Sequence, residues 1–447
     1  MNAKKLTKAA IRFDAKPKAP RTTTGEVFPD GAIIELVSGP AGTNKPNLLL
    51  WNRAVATIAS ELKHGEQAYA APEITPSLYH ALRLPAKYSE YGSLENLFSG
   101  IAELFRNYLG LSDRQSRLLA AFSLSTWVAD RLPIAPGVVI SAPDEASGID
   151  VLRLLSCICR RPLLLAEVTA SGFRTLPMHL GITLLINQQS MKPNLQRLLR
   201  ASTFRGLHLP GDRGSVVDLF GPKAILCGSD ADLNCLGDGA LHVSIASSSL
   251  PSLIFDERKQ DEISMEFQPR LLDYRLRNFA TVNDSQVEVA EFTSAIRPLA
   301  GAFAKCLADD QKLAHDTVRL LRPQDDDVKG KRFLDVNCVV VEILWGLVHD
   351  PKRKSIQVEE LAKYANALLR SRGELIEYSA EDIGWSLSKL NIRRHTTSSG
   401  RQISLSKDNG ITVHQTAAGY GLECAQRVHE GCTICDSLLA VDNKRVV

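Results

Sequence analysis

The order of apolar and polar positions changes character along the chain. From residue 26 to 91, short apolar runs such as AIIELV and NLLLW sit between Gly-Pro and proline-rich turns, which predicts a small α+β domain over residues 26–93. At Leu94 the spacing becomes helical: LENLFSGIAELFRNYL and RQSRLLAAFSLSTWVADRL predict two helices, separated by Gly110 and a capping signal at Ser112 and Asp113. From Pro136 strands and helices alternate as VVIS, VLRLLSCICR, PLLLAEV, ITLLINQ, LQRLLRAS, GLHL, AILCG and LHVSIA. That alternation predicts a doubly wound α/β core over residues 94–250, led by the two helices and with mostly parallel strands. Residues 251–323 are expected to form a helical lid, clearest at 288–307 and 310–321, and the charged residues 324–332 a hinge.

A last change of pattern begins at Phe333. FLDVNCVVVEILWGLV, VEELAKYANALLR and AEDIGWSLSKL read as three helices, and IRRH, a Ser-Ser-Gly turn at Ser399 and Gly400, and RQISL as a hairpin. This order, over residues 333–408, resembles a winged helix. Ser379 followed by Asp382 makes a capping-box-like start, and Ile383, Leu387 and Leu390 share one helical face. Lys389 on the third helix, with Arg393, Arg394, His395 and Arg401 around the hairpin, are the candidate nucleic-acid contacts, since backbone binding needs only positive charge. Glu381 and Asp382 at the helix start weigh against the reading of base edges. The alternative is a packing or partner surface. Residues 409–447 are a tail with Cys424, His429, Cys432 and Cys435, spaced C-x4-H-x2-C-x2-C. Three thiolates and an imidazole would suit tetrahedral zinc, and the closing C-x-x-C is a usual half-site; the alternative is a frayed tail with free thiols.

Composition narrows the class without naming a partner. The 447 residues, 44% hydrophobic and 23% charged, suit a globular protein of roughly two to four domains. A net charge of +3 does not by itself imply nucleic acid. Residues 1–25, however, carry Lys4, Lys5, Lys8, Arg12, Lys16, Lys18 and Arg21 against the single acid Asp14. A basic disordered arm is expected there, either a DNA-binding tail or a solubilising terminus. No apolar run approaches the ~20 residues that span a bilayer, and no secretory core opens the chain, so a cytoplasmic protein with no membrane partner is expected. The nine cysteines are odd in number and lack a paired framework, so reduced thiols are expected.

The candidate chemistry lies in VVISAPDEASGIDVLRLL, read as strand, glycine-bearing loop and helix start, and in TLLINQQ, a strand ending in Asn-Gln. A working phosphate loop, G-x-x-x-x-G-K-[ST], needs amides around the phosphates, a lysine on the terminal ones and a hydroxyl on magnesium. Gly148 is in place, but Pro143, Ile149 and Asp150 fill the other signature positions, and Asn187 and Gln188 stand where such an ATPase ends its strand in Asp-Glu. Asp144, Glu145 and Asp150 surround with acid a site meant for an anion. Each lost charge-stabilising donor costs roughly 10²–10³ in rate, so neither ATP turnover nor a bound nucleotide cofactor is expected. Asp150 is expected in the first turn of the helix, where a carboxylate gains about 0.3–1 kcal/mol from the unbonded amides and the dipole. SGPAGTNKP, at 38–46, looks in letters like the phosphate loop of AAA+ proteins. NLLLWN after it reads as a strand, whereas a phosphate loop must open a helix, so a plain turn is expected around Lys45. Arg270, Arg275 and Arg277 are read as a solvated helix face, with a cluster facing a ligand or neighbouring subunit as the sharper alternative. LIFDE, at 253–257, is read as an exposed linker. No H-E-x-x-H or G-x-S-x-G motif occurs.

Over residues 109–405 the order of these pieces resembles the AAA+-like P-loop ATPase core of primase-helicase proteins of phages and mobile elements. Pro143, Ser147 and Gly148 match that family's loop, a Ser-Pro followed by Ser-Gly-Lys-Thr; Ile149, Asp150, Asn187 and Gln188 depart from the family at the positions that carry its activity. The resemblance implies a P-loop-type fold, with related ATPase subunits or further copies of the chain as partners. The expected function is a non-hydrolysing relative, a DNA-associated or assembly subunit of a replication or mobile-element system. Two alternatives stay open: an active ATPase or helicase using atypical or partner-supplied residues, and a protein-binding scaffold or regulator with no nucleic-acid role.

Overall fold

The structure is a computed structural model that describes residues 19–435 apart from 54, 211–214, 229–231, 246–254, 283, 399, 423–424, 426–428 and 430. The chain divides into two compact units: Met1–Cys235 with Val243–Ser285 and Cys306–Asp310, and Leu236–His242 with Gln286–Lys305 and Gln311–Val447.

The first unit opens with β1 (Arg21–Thr22), β2 (Gly25–Val27), β3 (Ile33–Val37), β4 (Asn47–Trp51), β5 (Ala56–Ala59), β6 (Glu61–His64) and β7 (Gln67–Ala70), in two sheets ordered β2-β3-β4-β5 and β1-β7-β6. Ile34, Leu36, Leu48, Leu62 and Tyr69 form their shared apolar core. β3 and β4 are antiparallel, so segment 38–46 is a hairpin link and Lys45 leads into a strand. Of the stretch expected to be a disordered arm, Arg21 and Thr22 pair with Tyr69 and Ala70, and Arg21 reaches Glu26 at 2.9 Å. Lys4, Lys5, Lys8, Arg12, Lys16 and Lys18 lie outside the described residues.

After α1 (Pro76–Ala81) come the two leading helices, α2 (Leu94–Leu109) and α3 (Asp113–Trp127). Their ends follow the local chemistry: Ser93 accepts from the Asn96 amide, Gly110 ends α2 at φ 61°, and Ser112 with Gln115 closes a capping box. The core continues with β8 (Gly137–Ser141), α4 (Glu145–Ile158), β9 (Pro162–Leu165), α5 (Ala170–Arg174), β10 (Thr183–Gln188), α6 (Pro193–Ala201), β11 (His208–Pro210), β12 (Val216–Asp218), β13 (Lys223–Cys227) and β14 (Leu241–Ser244). One sheet runs β14-β8-β13-β10-β9, with β8, β13, β10 and β9 parallel. GLHL does not join it. That run makes β11, which pairs with β12 in an antiparallel ribbon; its exposed His208 and Pro210 do not suit a strand buried on both faces. α4 buries Val151, Leu152, Leu154 and Leu155, and α7 (Glu257–Asn278) packs against it. Asp256 of LIFDE caps α7, and residues 253 and 254 lie outside the described residues.

The later elements are α8 (Arg297–Cys306), α9 (Gln311–Arg319), α10 (Arg322–Leu334), α11 (Val336–Val348), β15 (Ser355–Gln357), α12 (Val358–Ser371), α13 (Ala380–Lys389), β16 (Arg394–Thr397), β17 (Gly400–Ser404) and α14 (Lys407–Tyr420). The charged stretch expected as a hinge is helix α10: Pro323 suits its first turn, and Lys329 returns to Asp325 at 2.9 Å. α11 starts at Asn337's neighbour Val336 and not at Phe333, because Asp335 caps it by accepting from the amides of Asn337 and Cys338. α11 to α14 and the sheet β15-β17-β16 share one core, with Val340, Leu344, Leu361, Ile383, Leu387, Ile403 and Val413 inside it. β15 and α14 lie outside the three helices and hairpin that the spacing predicts; Ser379 and Asp382 form the capping box it does predict. Among the described residues no helix is long and apolar enough to cross a membrane.

Candidate functional site

β8 enters α4 through Ala142, Pro143 and Asp144 alone, so Ser147, Gly148, Ile149 and Asp150 are residues of the helix and not of a loop. Asp144 is the cap: its carboxylate accepts from the Ser147 amide and from Ser147 Oγ, each at 2.8 Å. Those bonds hold its carboxyl below the usual range. A carboxylate of the chain itself therefore stands at the helix end where an anion would bind. Asp150 does not take that part. With the helix starting directly after Asp144, Asp150 lies beyond the first turn and pairs with Arg153 at 3.2 Å.

Gly148 serves packing. A Cβ there would overlap both methyls of Leu226, so the glycine lets α4 lie close on β13. At the end of β10, Asn187 Nδ2 donates to Glu145 Oε1 at 2.6 Å, and Gln189 Nε2 donates to Asn187 Oδ1 at 2.7 Å. Gln188 is buried, accepting from the Val168 amide at 3.0 Å and donating to the Ser190 carbonyl at 2.7 Å. Glu145 and Asn187 thus bridge the start of α4 and the carboxyl end of β10, in the region where open α/β sheets receive ligands. The bond joins residues 42 apart in sequence, and no spacing signal announces it. Pro143 is exposed and Ile149 half-buried.

Charge collects instead at the amino ends of the same strands. Glu35 of β3 is 1% exposed and meets Arg160 at 2.8 Å, Arg275 at 2.7 Å, and Arg161. Burial alone would raise its carboxyl; Arg160, Arg161 and Arg275 outweigh burial and bring it to about 2. Arg275 also holds Asp130 at 2.6 Å and donates to the Trp127 carbonyl at 2.5 Å. The expected solvated face of α7 is therefore wrong for Arg275, which α7 turns inward to Glu35, while Arg277 pairs with Asp273 at 2.7 Å and Arg270 lies 3.8 Å from Glu266. Lys223, the first residue of β13, is also buried; its Nζ lies 3.4 Å from Thr203 Oγ1, and burial lowers it to about 7.

In the second unit, Lys389, Arg393, His395 and Arg401 are exposed on α13 and the β16–β17 hairpin. Arg394 folds back, donating to Ser388 Oγ at 2.7 Å, and Arg393 has Asp408 at 3.8 Å. Gly400 turns the hairpin at φ 120°, and Ser399 lies outside the described residues. Trp385 is 65% exposed, because Ile383 and Leu387 take the buried phase of α13. In the tail, Cys432 and Cys435 come together, but with His349 and His414; the ligand atoms of these four lie within 4.8 Å of one another. The ring of His429 stacks on His349 at 4.0 Å, outside that set of four, and Cys424 lies outside the described residues. His349 and His414 are 65 residues apart, so only the packing of α11 beside α14 reveals them as a pair.

No protein-family model matches the chain, and no curated protein matches it. Among solved structures it is similar to the C-terminal region of NrS-1, at TM-score 0.35 and 9% identity, covering 83% of this chain and 96% of that one. It is also similar to a full-length MCM homolog from Methanopyrus kandleri, at TM-score 0.33 and 12% identity over 65% of this chain and 71% of that one. Drosophila ORC, bound to DNA, gives TM-score 0.17 and 11% identity over 77% of this chain and 94% of that one. These likenesses are distant and assign no role to any residue.

Proposed function

We propose that the chain is a non-hydrolysing relative of primase-helicase P-loop ATPases, acting as a DNA-associated or assembly subunit in a replication or mobile-element system. The observation that carries this reading is the closed strand end: Asp144 caps α4, Glu145 holds Asn187, and Ile149 and Asp150 lie within the helix. A triphosphate would have to displace Asp144 from the amide it bonds and approach Glu145 and Asp150, with neither lysine nor hydroxyl at the signature positions. DNA association rests on the C-terminal module, taken as a winged helix with β16–β17 as its wing. Lys389, Arg393, His395 and Arg401 are exposed there for phosphate contact.

The test is a nucleotide titration with and without magnesium, beside DNA binding across a salt series. We expect neither saturable nucleotide binding nor turnover. DNA binding should weaken with salt, and changing Arg393, Arg394 and Arg401 to alanine should lower the slope of log K against log salt by about 2–3. Magnesium-dependent ATP hydrolysis overturns the first half and establishes the active-ATPase alternative. Binding indifferent to salt and to the three arginines overturns the second. Trp385 at 65% and Leu375 at 97% exposure favour a second reading, a protein-binding surface on the same module. A nuclease-resistant protein complex lost in Trp385→Ala, with DNA binding intact, would establish it.

A further inference from the structure

Three separate stretches of the C-terminal unit bring metal-ligating atoms to one point: His349 at the end of α11, His414 within α14, and Cys432 with Cys435 beyond α14. His349 Nε2 and His414 Nε2 are 3.1 Å apart. Cys435 Sγ lies 3.3 Å from each of those nitrogens, and Cys432 Sγ 3.5 Å from His414 Nε2. Tetrahedral zinc, with Zn–N of about 2.0–2.1 Å and Zn–S of about 2.3 Å, sets N···N edges of about 3.4 Å and N···S edges of about 3.6 Å. Four of the six separations match those edges to within about 0.3 Å, and all six are no more than 4.8 Å.

The imidazoles are oriented for the same purpose. His349 Nδ1 lies 2.7 Å from the Trp345 carbonyl, and His414 Nδ1 lies 2.7 Å from the Gly410 carbonyl. A carbonyl can only accept, so each Nδ1 carries the hydrogen and each Nε2 turns a lone pair toward the other three ligands. Two lone pairs facing each other at 3.1 Å, with both thiol sulfurs beside them, are drawn together by a cation between them. That is a second sign of a ligand, independent of residue type. The site is also enclosed: His414 and Cys435 are buried, and the Trp345 ring lies 4.8 Å from His349 and 4.4 Å from His414.

We propose that His349, His414, Cys432 and Cys435 bind one zinc ion, which fastens the segment after α14 to α11. Two thiolates and two imidazoles in a tetrahedron select zinc among the common divalent metals, and four protein ligands leave no open position, so the site is structural. His429 stacks against His349 without coordinating.

The test uses the full chain, purified without a polyhistidine tag. Metal analysis after desalting should find about one zinc per chain, and cobalt substituted for zinc should give the intense visible bands of a tetrahedral thiolate site. His349→Ala, His414→Ala and Cys435→Ser should each reduce retained zinc at least about tenfold, whereas His429→Ala and Cys424→Ser should leave it unchanged. A strong chelator should expose residues 431–435 to protease, and added zinc should protect them again. The proposal is overturned by a wild-type chain that takes up neither zinc nor cobalt, a measurement that needs no variant to fold. It is equally overturned by metal that persists without His349 and His414 but leaves with Cys424 or His429.

Discussion

The two ends of one parallel sheet treat polar side chains in opposite ways. At the carboxyl end, where ligands enter folds of this kind, Asp144 bonds Ser147, and Glu145 bonds Asn187, near the surface. At the amino end, Glu35, Arg160, Arg161, Arg275 and Lys223 are sealed from water. A buried charge is tolerable only when partnered, so the amino end is where removing one group leaves several others exposed to the full desolvation cost. The end that resembles an active site should therefore be the less sensitive of the two.

The largest effect is expected from Glu35→Ala. Breaking a buried ion pair costs about 3–5 kcal/mol, and here three guanidinium groups lose a partner at once, so the denaturant midpoint should fall accordingly. The acid limb tests the same group. Folding lowers this carboxyl from its ordinary 4.5 to about 2, so its contribution is complete above 4.5 and disappears as the pH falls toward 2. The variant should be flatter than wild type across that window.

Lys223→Met should act with the opposite sign. The unfolded chain keeps this proton up to about 10.5, while the folded chain releases it near 7. Between those values unfolding takes up a proton, so wild-type stability gains from this group as pH rises, by at most about 1.4 kcal/mol per pH unit. The methionine variant should be the more stable at pH 7, with the difference shrinking toward pH 10. A difference that is constant with pH would show that Lys223 is charged in the folded chain and would break the contrast between the two ends.

Smaller effects are expected at the carboxyl end. Gly148→Ala crowds Leu226, an overpacking cost of about 1–3 kcal/mol, while alanine's helix propensity returns up to about 1, leaving a net loss near 1 kcal/mol. Asp144→Ala removes the cap and should cost about 0.5–2 kcal/mol, seen as a lowered melting temperature. Asp150→Ala touches only an exposed pair and should change stability by no more than about 0.5 kcal/mol. If Asp150 proved more important than Asp144, the helix would begin later than the structure places it.

Much of the fold was legible where neighbouring residues decide it. Ser112 with Gln115 and Ser379 with Asp382 cap their helices within a single turn, and the apolar phases of α2 and of α13 follow directly from spacing. The start of α4 is not legible in the sequence because loop and helical first turn share the same letters: SGID is as acceptable after a phosphate loop as inside a helix. The charged run at α10 reads as a hinge by polarity alone, and its internal Asp325 and Lys329 pair is what suits it to a helix. At the candidate metal site, the closing C-x-x-C was visible and the two histidines were not, since neither carries a local signal.

By itself, then, the sequence determined most of the element order, the caps at Ser112 and Ser379, and the absence of lysine, hydroxyl and paired acids where a phosphate loop and its partner strand would carry them. These depend on residue identity or on bonds spanning a few residues. Only the tertiary structure decided that Gly148 is a packing contact with Leu226, that Glu35 meets arginines 125, 126 and 240 residues away, and that His349 and His414 join Cys432 and Cys435. Such partners are chosen by which surfaces come together when apolar faces are buried, and that choice is written across the whole chain and in no short part of it.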